Sequence, residues 1–98
     1  MAINVEFHHD AYNEVIEAMA FYEECQPGLG CELWEEIRKT LDRIGGNPNG
    51  PERIAKDLHR ESVRRFPFSI IYGNRSDTLW VVAVAHHSRR EGYWRRRV

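Results

Sequence analysis

The residues with the most chemistry to offer lie near the C-terminal end of the chain. Arg89, Arg90, Arg95, Arg96 and Arg97 surround Tyr93 and Trp94 in its most charge-dense segment. Guanidinium groups grip phosphate and carboxylate in a planar, multidentate way, and interleaved aromatic rings are stacking platforms. One reading is a contact surface for phosphate or for an acidic protein segment; the other is a solvated tail with Trp94 packed on the sheet edge. The two combine in the expectation that Tyr93 and Trp94 are anchored and the arginines point outward. Upstream, His86 and His87 titrate near neutrality and are able to shuttle protons. Neighbours on a strand point to opposite faces, so only one of them can enter a shared site, and the other reading is a buried, hydrogen-bonded histidine at the strand end. His8-His9 ends another predicted strand, so four imidazoles meet if the strand ends do. No carboxylate or thiol completes a known ligand spacing, and no metal is expected.

Other candidates are weaker. Pro27-Gly28-Leu29-Gly30 lacks the lysine and the hydroxyl of a nucleotide-binding loop, and no cofactor is expected. Cys25 and Cys31 flank the same turn and read as exposed or core thiols. Glu32, Glu35 and Glu36 read as a solvated acidic face rather than a catalytic pair. Arg64 and Arg65 sit on opposite sides of a predicted strand, which predicts one exposed beside the arginine cluster and one paired with an acid.

Ninety-eight residues make one domain, residues 1–98, and eleven aromatics give it large side chains for a core. The longest uncharged apolar run, Leu79 to Ala85, is far short of the roughly 18 residues that span a bilayer, and no leader pattern opens the chain. Two cysteines make no disulfide framework, so a reducing compartment, the cytoplasm, is expected. Lys+Arg and Asp+Glu nearly balance at 14 and 15, but ten of the acids and three of the bases fall in residues 1–50. The second half is therefore basic and suited to anionic partners. Twelve of the bases are arginine.

The elements that must position these groups follow from periodicity. Ile3, Val5 and Phe7 alternate in strand fashion. Ala11, Val15, Ala18, Met19 and Tyr22 then form a helical stripe, with Glu14, Glu17 and Glu24 mostly opposite and Asp10 as N-cap. Pro27-Gly28 forces an antiparallel turn into a second helix carrying Trp34, Ile37, Leu41 and Ile44, with a Glu35–Lys39 pair outside. Gly45-Gly46 ends it. Ile54 to His59 reads as an irregular helical turn, followed by strands at Val63 to Phe66, Phe68 to Tyr72 and Thr78 to Ala85, with Gly73 to Asp77 as a hairpin loop. The expected fold is α+β, in the order β-α-α-β-β-β, with a helical hairpin on one face of a mainly antiparallel sheet.

Phe21-Tyr22 with Pro27-Gly28-Leu29-Gly30, the run RRFPFSIIY from Arg64 to Tyr72, and the ending VAVAHHSRREGYW from Val82 to Trp94 together resemble the RelE/ParE superfamily of bacterial type II toxins. The resemblance implies a growth-inhibiting toxin, of the kind linked to plasmid stabilisation, neutralised by a cognate antitoxin and assembling as a homodimer or a toxin–antitoxin hetero-oligomer. RelE-like members cut messenger RNA in the ribosome, whereas ParE-like members poison DNA gyrase. For the nuclease chemistry the resemblance assigns Tyr93 as the C-terminal tyrosine, with Arg64 or Arg65 as bases of the preceding strand. Ser69 then stands at the middle-strand arginine position and His87 at the later arginine position, with Arg90 near enough to replace one cation. If the chain is a ribonuclease, His87, Arg90 and Tyr93 are its catalytic residues. If it acts by binding, the contacts fall to Arg64, Arg65, Arg89, Arg95, Arg96, Arg97 and Trp94. Gly73 replaces a common arginine and Glu91 a common proline, and a net charge of −1 suits phosphate docking poorly. The expected function is therefore a ParE-like gyrase poison. A ribosome-dependent endonuclease is the alternative, and a non-toxic binding module the second.

Overall fold

A computed structural model describes residues 4–98; Ile3, expected in the first strand, lies outside them. Strand β1 (Asn4–Phe7) leads into helices α1 (His9–Cys25) and α2 (Leu29–Gly46), then β2 (Glu52–Ala55), β3 (Leu58–Ser62), β4 (Phe68–Arg75) and β5 (Thr78–His86), with a 3₁₀ turn at Arg95–Arg97. The sheet order is β1-β5-β4-β3-β2. Only β1 and β5 run parallel, with Asn4 opposite Thr78 and Phe7 opposite Val81; the other pairings are antiparallel. The α+β layering expected from periodicity is observed.

The helical hairpin buries Ala11, Val15, Leu33, Ile37, Leu41 and Ile44 against Ile70, Tyr72, Val81 and Val84 of the sheet. Trp34 is not in this core: it is 38% exposed, and Leu33, one step round the helix, is fully buried instead. Glu35 pairs with Arg38 rather than Lys39, and Arg38 also reaches Asp42. The N-cap of α1 is His8, whose Nδ1 accepts from the Asp10 N–H at 3.1 Å. His8 donates its own N–H to Val81 at 2.8 Å, which extends the β1 register by one residue and starts the helix ahead of Asp10. At the hairpin turn Gly28 takes φ 90°, and the Glu23 carboxylate accepts from the free N–H groups of Gly28 and Gly30 at 2.8 and 3.1 Å. Gly30 lets α2 touch α1, since a Cβ there would stand 2.6 Å from the Met19 carbonyl oxygen.

The stretch after the helices differs from the sequence expectation. Ile54 to His59 is not helical: it spans the end of β2, a turn at Lys56-Asp57 with Asp57 at φ 67°, and the start of β3. The strand expected at Val63 to Phe66 lies earlier, at Leu58–Ser62, and Val63 to Pro67 is a tight connection with Arg65 at φ 72°. Pro67 has no N–H for a ladder, and Val63 bonds directly across to Phe68 at 2.9 Å. The later loop is shorter than expected, because Gly73 and Asn74 pair with Trp80 and Leu79 and the turn is Ser76-Asp77 alone. Tyr72 is fully buried and donates its hydroxyl to the Pro48 carbonyl at 2.6 Å. Burial, with a smaller push from the Glu61 charge, takes its pKa up to about 12. No helix among the described residues is long and apolar enough to cross a membrane.

Candidate functional site

The sheet face away from the helices carries the candidate site. Leu58, Ile71, Val82, Ala83 and Ala85 form a second, smaller core there under Trp94, which is almost fully buried. The chain after β5 therefore folds back over this face, and Trp94 is the anchor expected of it. A groove of about 230 Å³ remains between Arg60 on β3, Ser69 on β4, and His87, Arg90 and Tyr93 of the returning segment. Arg60 lies opposite Ile71 and Ser69 opposite Ala85, so the pleat turns them to this face.

The expectation that only one of the paired histidines enters a shared site is not met: β5 ends at His86, His87 lies in the turn that follows, and both border the groove. His87 shares a 3.0 Å hydrogen bond between its Nε2 and Ser69 Oγ, inside the groove. The His86 ring packs edge-on against Phe68, and its Nδ1 accepts from the Ser88 hydroxyl at 2.7 Å. The four imidazoles do not meet. His8 and His9 cluster with Asp10 instead, and there the His8 Nδ1 already caps α1 while Asp10 faces Arg97 at 3.8 Å.

The basic residues fall into quenched and unquenched sets. Arg65 pairs with Glu32 at 2.7 Å and Glu36 at 3.5 Å, fulfilling the expectation that one of Arg64 and Arg65 meets an acid, and Arg64 is exposed. Glu36 is buried, so the acidic face of α2 is solvated only in part. Arg60, hidden from the sequence pattern because the strand lies earlier than its β-branched run, is the cation of β3 in the groove. It is held by Glu52 at 3.2 Å and Glu91 at 3.1 Å. Arg89, Arg90, Arg95 and Arg96 are exposed, with Arg89 lying 3.9 Å over the Tyr93 ring and Arg95 5.2 Å over the Trp94 ring.

Arg97 does not point outward. Its side chain, 13% exposed, makes paired bonds of 2.9 and 3.1 Å to both carboxylate oxygens of Glu14, itself 14% exposed. Glu14 Oε1 also accepts from the Val84 N–H at 3.0 Å, and Arg97 donates to the Val82 carbonyl at 3.1 Å. β1 pairs with β5 only as far as Val81. These two side chains thus satisfy the backbone groups that β1 leaves open. Glu14 was expected on the solvent side of α1, but it lies three residues after Ala11 and four before Ala18, which places it on the inward stripe. That spacing is the signal that identifies it.

Tyr93 completes this network. Its hydroxyl donates to Glu14 Oε2 at 2.6 Å, and its pKa is raised well above that of a free phenol, first by burial, then by the bond to Glu14 and by the Glu14 charge, against Arg97 and Arg89. A phenol locked onto a carboxylate in this way gives up its proton with difficulty. The groove as it stands offers an exposed imidazole and Arg90 to an anion, and no free proton donor at Tyr93.

No family model matches the sequence, and no curated protein matches it. Solved structures do match the fold. A chain of the chromosomal ParDE toxin–antitoxin system from P. aeruginosa superposes with a TM-score of 0.72 at 11% identity, covering 86% of this chain and 95% of that one. The isolated E. coli RelE toxin superposes with a TM-score of 0.65 at 19% identity, covering 97% and 95%. The fold of this chain, a helical hairpin on one face of a five-stranded sheet, is thus shared with the ParDE-system chain and with the RelE toxin.

Proposed function

We propose that this chain is the toxin of a type II toxin–antitoxin pair, neutralised by a cognate antitoxin, and that it arrests growth by binding DNA gyrase rather than by cutting RNA. The observation that carries the choice is the 2.6 Å bond from Tyr93 to Glu14. Metal-independent RNA cleavage needs a base for the 2′-hydroxyl, cations for the crowded phosphate and an acid for the leaving 5′-oxygen. Here the tyrosine proton is committed to a carboxylate, Arg60 is neutralised by two acids, and Ser69 stands where a third cation belongs. The exposed Arg89, Arg90, Arg95 and Arg96 then serve as the target contact, and both candidate targets place the protein in the cytoplasm. Supercoiling by purified gyrase in the presence of the protein, with toeprinting of translating ribosomes alongside, tests the assignment.

The ribonuclease reading is favoured by one observation, the convergence of His87, Arg90 and Tyr93 on a single groove. Codon-dependent cuts in ribosome-bound message with normal supercoiling would establish it. Normal growth on soluble expression would leave the binding-module reading.

A further inference from the structure

We propose that the chain has a second site, separate from the groove, that binds a nucleoside phosphate. A concavity of about 500 Å³ lies where the β2–β3 turn, the end of β4 and the C-terminal segment converge. Sites of several hundred cubic ångströms take small ligands rather than protein segments. Gly73 lines it, at a position where a Cβ would stand 3.2 Å from the Asp57 carbonyl oxygen.

Three cations line it, Lys56, Arg75 and Arg95, against one acidic side chain, Asp57. Arg38, Arg60, Arg65 and Arg97 are held by carboxylates, while Arg64, Arg89, Arg90 and Arg96 are, like the three here, among the described bases with no ion pair. Among the described residues, Lys56, Arg75 and Arg95 form no ion pair. Indole rings hold the two arginines instead: Arg75 lies 5.4 Å over Trp80 and Arg95 5.2 Å over Trp94. Stacking orders a guanidinium while leaving its N–H donors unspent. Donor-rich groups around one concavity call for an anion with several oxygens, which is the chemistry of a di- or monophosphate. Flat guanidinium faces backed by indole suit a planar base, as arginine planes do in nucleotide recognition, and Asp57 and Asn74 supply polar groups for its edge. A carboxylate peptide satisfies the charge but offers no planar base to the guanidinium faces.

The test is calorimetric titration of the full chain with adenosine 5′-diphosphate, and with pyrophosphate and adenosine separately. Saturable binding of the diphosphate is expected, with pyrophosphate weaker and adenosine weakest. Lys56→Ser and Arg75→Ser, both at exposed turn-flanking positions, are each expected to weaken the diphosphate about tenfold. Arg38→Ser on α2 removes the same charge far from the site and is expected to leave the affinity unchanged. Absence of binding by the unmodified chain, or an equal loss in Arg38→Ser, would overturn the proposal. Tight adenosine binding indifferent to Lys56→Ser and Arg75→Ser would do so as well. The readout does not depend on toxicity or on the target, so it stands apart from the gyrase assignment.

Discussion

Glu14 in the second turn of α1 and Arg97 at the far end of the chain form a two-bond ion pair across the open edge of β5, at 2.9 and 3.1 Å. Through it the returning C-terminal segment is tied to the opposite face of the sheet. The five C-terminal arginines are therefore not one functional class. Removing Arg97 from this largely buried pair strands Glu14 and leaves the Val82 carbonyl without its side-chain donor. Arg97→Ser is expected to cost about 2–4 kcal/mol in urea unfolding. Arg95→Ser and Arg96→Ser are expected to stay within about 0.5 kcal/mol.

The two buried phenols make stability depend on alkaline pH. Tyr72 is raised from 10.0 to about 12, and Tyr93 is raised further, so both hold their protons more tightly folded than unfolded. Their contribution is fully present below pH 10 and is lost as the pH climbs through about 12. Urea midpoints measured across that interval should fall for the unmodified chain and fall less steeply for Tyr72→Phe.

Glu91 supplies an internal anion to Arg60. Glu91→Gln removes that competitor, leaving Glu52 alone, and is expected to raise the affinity of the groove for inorganic phosphate about fivefold. Phosphorus NMR titration reads the change, and Arg60→Ser in the same background should abolish it. An unchanged affinity would mean that the carboxylate does not occupy the anion position.

Gly30→Ala sets helix propensity against packing. Alanine is favoured over glycine by about 1 kcal/mol in a helix interior and by less in the first turn, where Gly30 sits. The added methyl meets the Met19 carbonyl oxygen at 2.6 Å, where backbone rather than a flexible side chain must yield. The clash is expected to win, with a net loss of about 1–2 kcal/mol in thermal or urea unfolding.

Why some elements could be read from the sequence and others not is a matter of which signals are local. The two helices announced themselves through apolar stripes and the Pro27-Gly28 and Gly45-Gly46 stops, and β5 through its unbroken apolar run. The β2–β3 hairpin reads as a helical turn because Asp57 takes left-handed backbone without a glycine beside it, and the β3–β4 connection reads as strand because Arg65 does the same. That error shifted the strand and hid Arg60. Glu14 was misplaced for a different reason: a carboxylate on an apolar stripe is unfavourable until its partners, 70 to 83 residues away, are known. Strand alternation does not govern His86 and His87, because β5 ends at His86 and both rings border the groove.

The central claim is that growth arrest requires binding and no proton transfer from Tyr93. Its most direct measurement is the toxicity of Tyr93→Phe, scored beside gyrase supercoiling and toeprinting with the purified variant. A modest stability loss of about 1–2 kcal/mol from the missing hydrogen bond, retained growth arrest, inhibited supercoiling and no cuts in ribosome-bound message are expected. Loss of growth arrest in a folded Tyr93→Phe chain, together with codon-dependent cleavage by the unmodified protein, would contradict it.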